Sequence, residues 1–205
     1  MNNRYDASEN QATCQPGSDG RVLQNLLGIT SPDEMNDVEL DLLEQLYQFI
    51  FTDEFPDRRL TVADLKHWHY QWLGNVYAWA GEERSVNLVM DDFHFAAAAQ
   101  IARLLDEFQQ ACLDHFTPAH EMEDTALTEA LAITHVELIL IHPFRDGNGR
   151  LARVLADVMS VQAGRGLLDY SGWDSKKESY LAAIQQGMAG GYEPMTALFS
   201  GALQA

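Results

Sequence analysis

Positive charge is scarce in this chain. Its 13 lysines and arginines face 31 aspartates and glutamates, for a formal net charge of −18 at pH 7. Such a surface repels phosphate backbones and no basic run interrupts it, so nucleic acid is not an expected partner. Cysteine is also rare. Cys14 lies in a polar stretch and Cys112 in a predicted helix, which gives neither a disulfide framework nor a zinc site and fits a reducing compartment. No apolar run is long enough to span a membrane, and the opening residues, MNNRYDASENQATCQPGSDGR, carry no apolar signal core. The expectation is a soluble cytoplasmic protein with no membrane partner.

What the chain does have is helical periodicity over a 46% hydrophobic composition. Residues 1–21, rich in Asn, Ser, Asp, Gln and Gly, read as a mobile tail. A single domain is expected over 22–205, with a helical extension at 22–59 and a core at 60–200. Val38, Leu42, Leu43, Leu46, Phe49 and Ile50 recur at helical spacing. Val62, Leu65, Trp68, Trp72, Leu73 and Val76 form the stripe of a second helix, with Thr61 and Asp64 at capping-box spacing. Ile101, Leu104, Leu105 and Phe108 mark a third. TALTEALAITHVELILI, 125–141, is apolar on nearly every side, so this helix should be central. Another follows from Arg150 to Ala163 and stops at Gly164. Ser175 and Glu178 cap a helix over Tyr180–Gly187, and a last short one carries Met195, Leu198 and Phe199. The exception is RSVNLVMDDFHF, 84–95, where two short runs flank Asp91-Asp92 and Val86 and Leu88 alternate with Asn87, which predicts a small β-hairpin. The class is all-α with one hairpin.

Between the central helix and its successor runs HPFRDGNGRLAR, 142–153. Pro143 cannot continue a helix. Gly147 and Gly149 admit backbone angles closed to other residues, and successive amides in such a turn form an anion-binding nest. The next helix adds its positive end, and Arg150 and Arg153, three apart, share a face there. Asp146 suits Mg²⁺, which favours one or two carboxylates together with phosphate oxygens and water. His142, with an ordinary pKa of about 6.5, suits a general base. Phe144 should anchor the loop in the core. A GxG turn or a helix-ending His-Pro is by itself ordinary structure; their joint occurrence with an aspartate and two arginines points to a polyphosphate cradle.

This stretch resembles the signature of the Fic family, HPFx[D/E]GNGRxxR, at His142, Pro143, Phe144, Asp146, Gly147, Asn148, Gly149, Arg150 and Arg153. Upstream, LTVADLKHWHYQWLGNVYAWAGEERSVNL resembles the family's helix, WAGE-x-R segment and target-docking flap; downstream, YLAAIQQGMAGGYEPMTALF resembles its closing helices. TSPDEMNDVE is similar to a Fic subgroup called mobile mystery protein B. The resemblance implies a helical Fic fold around a central helix–anion-binding loop–helix, acting as a protein adenylyltransferase. ATP would be the substrate, Mg²⁺ the cofactor, and the partner a target protein with an accessible Ser, Thr or Tyr hydroxyl. His142 would deprotonate that hydroxyl and Asp146 hold the metal. Gly147, Asn148 and Gly149 would bind the α- and β-phosphates, Arg150 the β end and Arg153 the γ-phosphate. The flap, Ser85, Val86, Asn87 and Leu88, would dock the target as an added strand.

Many Fic proteins carry an inhibitory helix with the pattern [S/T]xxxE[G/N]. Thr30 and Glu34 have the spacing, but Met35 occupies the Gly/Asn position. Ser31, Pro32 and Glu34 read better as N-cap, N1 and N3 of an ordinary helix, which needs no departure from a pattern. Restraint would then come from a weak Glu34 brake on Arg153 or from an antitoxin-like inhibitor, and family members also form homo-oligomers. Three other readings stay open: another nucleotide donor, removal of AMP, or a non-catalytic interaction module. His67 and His69 face different ways and make a poor metal pair; His135 reads as a hydrogen-bonded core histidine. Trp173 has no place in this reading.

Overall fold

The computed structural model describes residues 9–90, 93–174 and 177–204. In chain order it contains α1 (Glu9–Ala12), α2 (Pro32–Gln48), α3 (Val62–Leu73), β1 (Val89–Met90), β2 (Phe93–His94), α4 (Ile101–Phe108), α5 (Asp114–Phe116), α6 (Asp124–Ile141), α7 (Asn148–Gln162), α8 (Ser171–Asp174), α9 (Lys177–Gly187) and α10 (Glu193–Leu203). The all-α class with one hairpin is therefore observed. None of the helices among the described residues is long and apolar enough to cross a membrane. The described residues fall into two compact units: Met1–Phe55 with Ala63–Leu104 and His142–Gly147, and Pro56–Val62 with Leu105–Ile141 and Asn148–Ala205.

In the first unit, α2 starts as its sequence predicts. Ser31 is extended at φ −86°, its side chain accepts from the Glu34 amide at 3.4 Å, and Pro32 fills the first helical turn. α2 and α3 are joined through Glu39: its carbonyl accepts from Trp72 Nε1 at 2.8 Å and its carboxylate from the Tyr77 hydroxyl at 2.7 Å. Trp72, Leu73 and Val76 are fully buried around this join, each such side chain contributing about 2 kcal/mol.

Of residues 1–21, predicted to be a mobile tail, 1–8 lie outside the described residues, while 11–21 make specific hydrogen bonds. Cys14 bridges to Leu23 across a tight turn, and buried Gln11 accepts from the Ser85 amide at 2.7 Å. The polar residues that mimic a tail serve as hydrogen-bond partners for backbone. The predicted hairpin around Asp91-Asp92 is observed: its strands are Val89–Met90 and Phe93–His94, with Val89 opposite His94, and the Phe95 amide donates to the Leu88 carbonyl at 3.3 Å. Val86 and Leu88 alternate with Asn87 because Val86 turns into the core and its carbonyl is taken by Arg84, while the Asn87 side chain accepts from the Ala98 amide at 2.8 Å. Asp91 and Asp92 lie outside the described residues.

In the second unit, α6 is buried on nearly every side, as predicted, and packs against α7, α9 and α10. Its approach to α9 requires a glycine: a Cβ on Gly187 would collide with Val136 Cγ1. Segment 56–62 is fastened by Gln162, which donates to the Pro56 and Arg58 carbonyls at 2.7 and 2.8 Å. α7 ends at Gly164 in left-handed backbone, φ 74°. Ser175, the expected cap of α9, lies outside the described residues.

Candidate active site

His142 begins the bend that follows α6, with φ 51°. Left-handed backbone just before a proline is costly, on the order of 1–3 kcal/mol. Arg84 holds it in place. Its Nε donates to the His142 carbonyl at 2.6 Å and its backbone amide to the Pro143 carbonyl at 2.8 Å. The remaining guanidinium nitrogens donate to the Val86 and Ala96 carbonyls at 2.6 and 2.5 Å, so one buried cation ties the bend to both ends of the hairpin segment. Burial, then the neighbouring Arg145, pulls the Arg84 pKa down to about 10, so it remains charged at neutral pH. The His142 imidazole is half-buried and stacks on Phe95, with centroids 3.8 Å apart and planes at 28°.

Beneath this, Phe144 points into the core as expected, stacked on His69 at 4.0 Å. His69 accepts from the Gly81 amide through Nδ1 at 2.8 Å, which leaves the proton on Nε2, donating to the Asp146 carbonyl at 3.1 Å. The Asp146 side chain is exposed, and one of its oxygens accepts from the Gly147 amide at 2.6 Å. Gly147 has φ 80°, and a Cβ there would lie 2.8 Å from the Trp72 ring. Arg145 turns aside to donate to the Gln11 carbonyl at 2.6 Å.

The chain then enters α7 at Asn148, which is buried; Arg150 and Arg153 are half-buried. No acidic residue occupies the first turn; the nearest carboxylate along the chain, Asp146, stands two residues ahead of it. The expectation that both glycines supply left-handed backbone is corrected for Gly149. It is the second residue of α7, and no atom lies within 4 Å of where its Cβ would be. Its missing side chain leaves open space beside the first-turn amides, which is the other use of glycine near a ligand.

The other residues singled out in the sequence fall away from this chemistry. His67 is exposed and His69 buried. His135 is a core histidine, with Nε2 2.9 Å from the Tyr180 hydroxyl oxygen. Burial pushes its pKa down to about 3, so it stays neutral. Among the described residues, no group of three or more His, Cys, Asp or Glu side chains is arranged to hold a metal ion. An exposed Asp146 carboxylate with no such group around it fits Mg²⁺ that arrives with phosphate oxygens and water, and does not fit an all-protein metal cage.

The profile of the Fic/DOC family matches residues 59–160. A protein described as probable protein adenylyltransferase y4lH, from Sinorhizobium fredii, is 30% identical over 197 residues, spanning 95% of this chain and 96% of its own. The chain belongs to the Fic/DOC family. Protein adenylyltransferase VbhT from Bartonella schoenbuchensis is 29% identical over 147 residues, 70% of this chain but 30% of that longer protein. The fold is that of the N-terminal Fic domain of a Bartonella effector protein from Bartonella sp. AR 15-3, with a TM-score of 0.76 at 21% identity, covering 92% of this chain and 89% of that one. These matches carry the family and not the narrower subgroup.

Within the Fic/DOC match lie the whole 142–153 stretch and the hairpin segment; Glu34, Tyr170 and Trp173 lie outside it. Three residues of the site had no role in the sequence reading. Arg84 belongs to the quoted WAGE-x-R segment, and the signal available was an arginine followed directly by a predicted buried run. His69 was weighed only as a metal ligand. Phe95 was absorbed into the hairpin pattern.

Proposed function

We propose that this Fic/DOC protein is a protein adenylyltransferase that moves AMP from ATP to a hydroxyl side chain of a target protein. The observation that carries the reading is chain order joined to geometry. A histidine fixed at its backbone by a buried arginine is followed, within one bend, by a helix whose first two turns carry Arg150 and Arg153 and no acid. In the proposed reaction, His142 accepts the proton of the target hydroxyl as its oxygen bonds to the α-phosphorus. The bond from that phosphorus to the bridging oxygen breaks, and pyrophosphate leaves with the electron pair. Gly147, Asn148 and Gly149 bind the α- and β-phosphates, Arg150 the β end and Arg153 the γ-phosphate. Asp146 holds Mg²⁺, whose chemistry is to neutralise charge on the phosphate oxygens. The match to y4lH, 30% identical over almost the full length of both chains, supports the assignment.

The hairpin segment is proposed as the docking edge. Asn87 is exposed and Val89 and Met90 remain 45% and 44% exposed, as suits a segment that an extended target strand joins by backbone pairing.

The test is a labelling reaction of the full chain with lysate, Mg²⁺ and ATP carrying label at either the α- or the γ-phosphate. Protein-bound label from α-labelled ATP alone, lost in His142→Ala, is expected. Label transferred only from the γ position means phosphorylation and overturns the reading, as does α label that survives in His142→Ala.

A further inference from the structure

Arg153 is held in an unusual way for a cation in so acidic a chain. Among the described residues no carboxylate pairs with it. Its guanidinium carbon lies instead 5.1 Å from the Tyr170 ring centroid and 5.5 Å from that of Trp173. The acid four residues along α7, Asp157, is committed elsewhere: it accepts from the Leu168 amide at 3.0 Å and from the Tyr170 hydroxyl at 3.3 Å.

We propose that Tyr170 and Trp173 are positioning residues that hold the Arg153 guanidinium, with its N–H donors uncommitted, for the terminal phosphate of ATP. The proposal rests on the phosphate assignment made above for Arg153. A ring face attracts a guanidinium through its quadrupole and consumes none of its five N–H donors. A carboxylate in the same place would fix the side chain equally well, but would neutralise its charge and occupy the donors that a phosphate needs.

The cradle is itself rigid. The Tyr170 hydroxyl also lies 3.2 Å from the Arg153 carbonyl, so the ring is fastened to the helix whose side chain it supports. Trp173 is 4% exposed. It meets Tyr170 edge-on at 5.0 Å and Phe199 at 5.1 Å, with His135 on another side at 5.7 Å. The neutral His135 adds no competing charge. So little of Trp173 reaches solvent that its ring has no face to offer a nucleobase.

The test compares equilibrium binding of Mg-ATP and Mg-ADP to the full chain, because ADP lacks the phosphate that Arg153 is assigned to bind. Tyr170→Leu and Trp173→Leu should each weaken ATP binding about five- to tenfold, the size of one lost cation–π contact, and leave ADP binding within about twofold. Trp173→Phe, which restores a ring face, should recover most of the ATP affinity. Equal losses for ATP and ADP mean general damage and overturn the proposal. Arg153→Ala that loses ATP affinity while both leucine variants keep it overturns the positioning role alone. Arg153→Ala with no loss specific to ATP overturns the phosphate assignment and the proposal together. Tyr170 is only half-buried, so Tyr170→Leu decides the outcome should Trp173→Leu fail to fold.

Discussion

Two arginine-centred regions, one in each unit, use the same side chain for opposite purposes. Around Arg84 every effort goes into satisfaction: it is 2% exposed and donates to the carbonyls of His142, Val86 and Ala96 through its side chain and to that of Pro143 through its amide. Around Arg153 the donors are kept back, and the charge is steadied by aromatic faces. The lesson is that a guanidinium is structural when its N–H groups are spent and available for function when they are not. Composition cannot distinguish the two, since both arginines sit among the same few cations of an acidic chain.

The sharpest way to break the comparison is Arg84→Ala. It strands three carbonyls that were satisfied by one buried cation, and should cost about 3 kcal/mol or more in unfolding free energy by denaturant titration. Arg84→Lys, with a point charge in place of a fork, should recover only part of that. A loss near zero would show that the bend holds its left-handed His142 unaided, and Arg84 would then have no better claim to a structural role than Arg153.

The two glycines sharpen the same contrast at the next smaller scale. Gly147→Ala forces a side chain into positive φ and against the Trp72 ring, and should cost about 2 kcal/mol. Gly149→Ala replaces a helical glycine beside open space, and should be neutral or stabilising by about 0.5 kcal/mol. Its effect should appear instead in Mg-ATP affinity, because a methyl group would occupy the approach to the first-turn amides. Thermal unfolding and nucleotide titration of both variants separate a glycine needed by the fold from one needed by the ligand.

Much of this arrangement was legible in the chain. The apolar 125–141 run required a central helix, Pro143 ended it, and HPFRDGNGRLAR carried the family and the candidate site residues. Local pattern could not reveal what depends on distant partners. Gln11 looks like tail composition until Ser85 and Arg145 are seen to bind it. Val86 looks like a strand residue because its burial imitates the two-residue period of pairing, whereas its carbonyl is taken by the Arg84 side chain. Gly147 and Gly149 look equivalent as letters, and only the start of α7 separates their roles. Trp173 had no periodic context at all; its place is set by His135, Tyr170 and Phe199, which come from different helices or from the turn before α8.

The smallest expected effect concerns Glu34, and it bears directly on whether Arg153 is uncommitted in solution. Glu34 is exposed, and its amide donates to the Ser31 side chain, so the geometry supports helix capping. Its carboxylate also lies in the first turn of α2, where negative charge is favoured by a few tenths of a kcal/mol. If capping is its whole role, Glu34→Ala should lower stability by roughly that amount and leave Mg-ATP affinity and labelling unchanged, while Ser31→Ala costs about 1 kcal/mol. A rise in ATP affinity or labelling in Glu34→Ala would instead identify a brake on Arg153. The aromatic cradle would then hold an arginine that is only intermittently available, and the ATP-to-ADP affinity ratio of the Tyr170 and Trp173 variants should be measured again in the Glu34→Ala background.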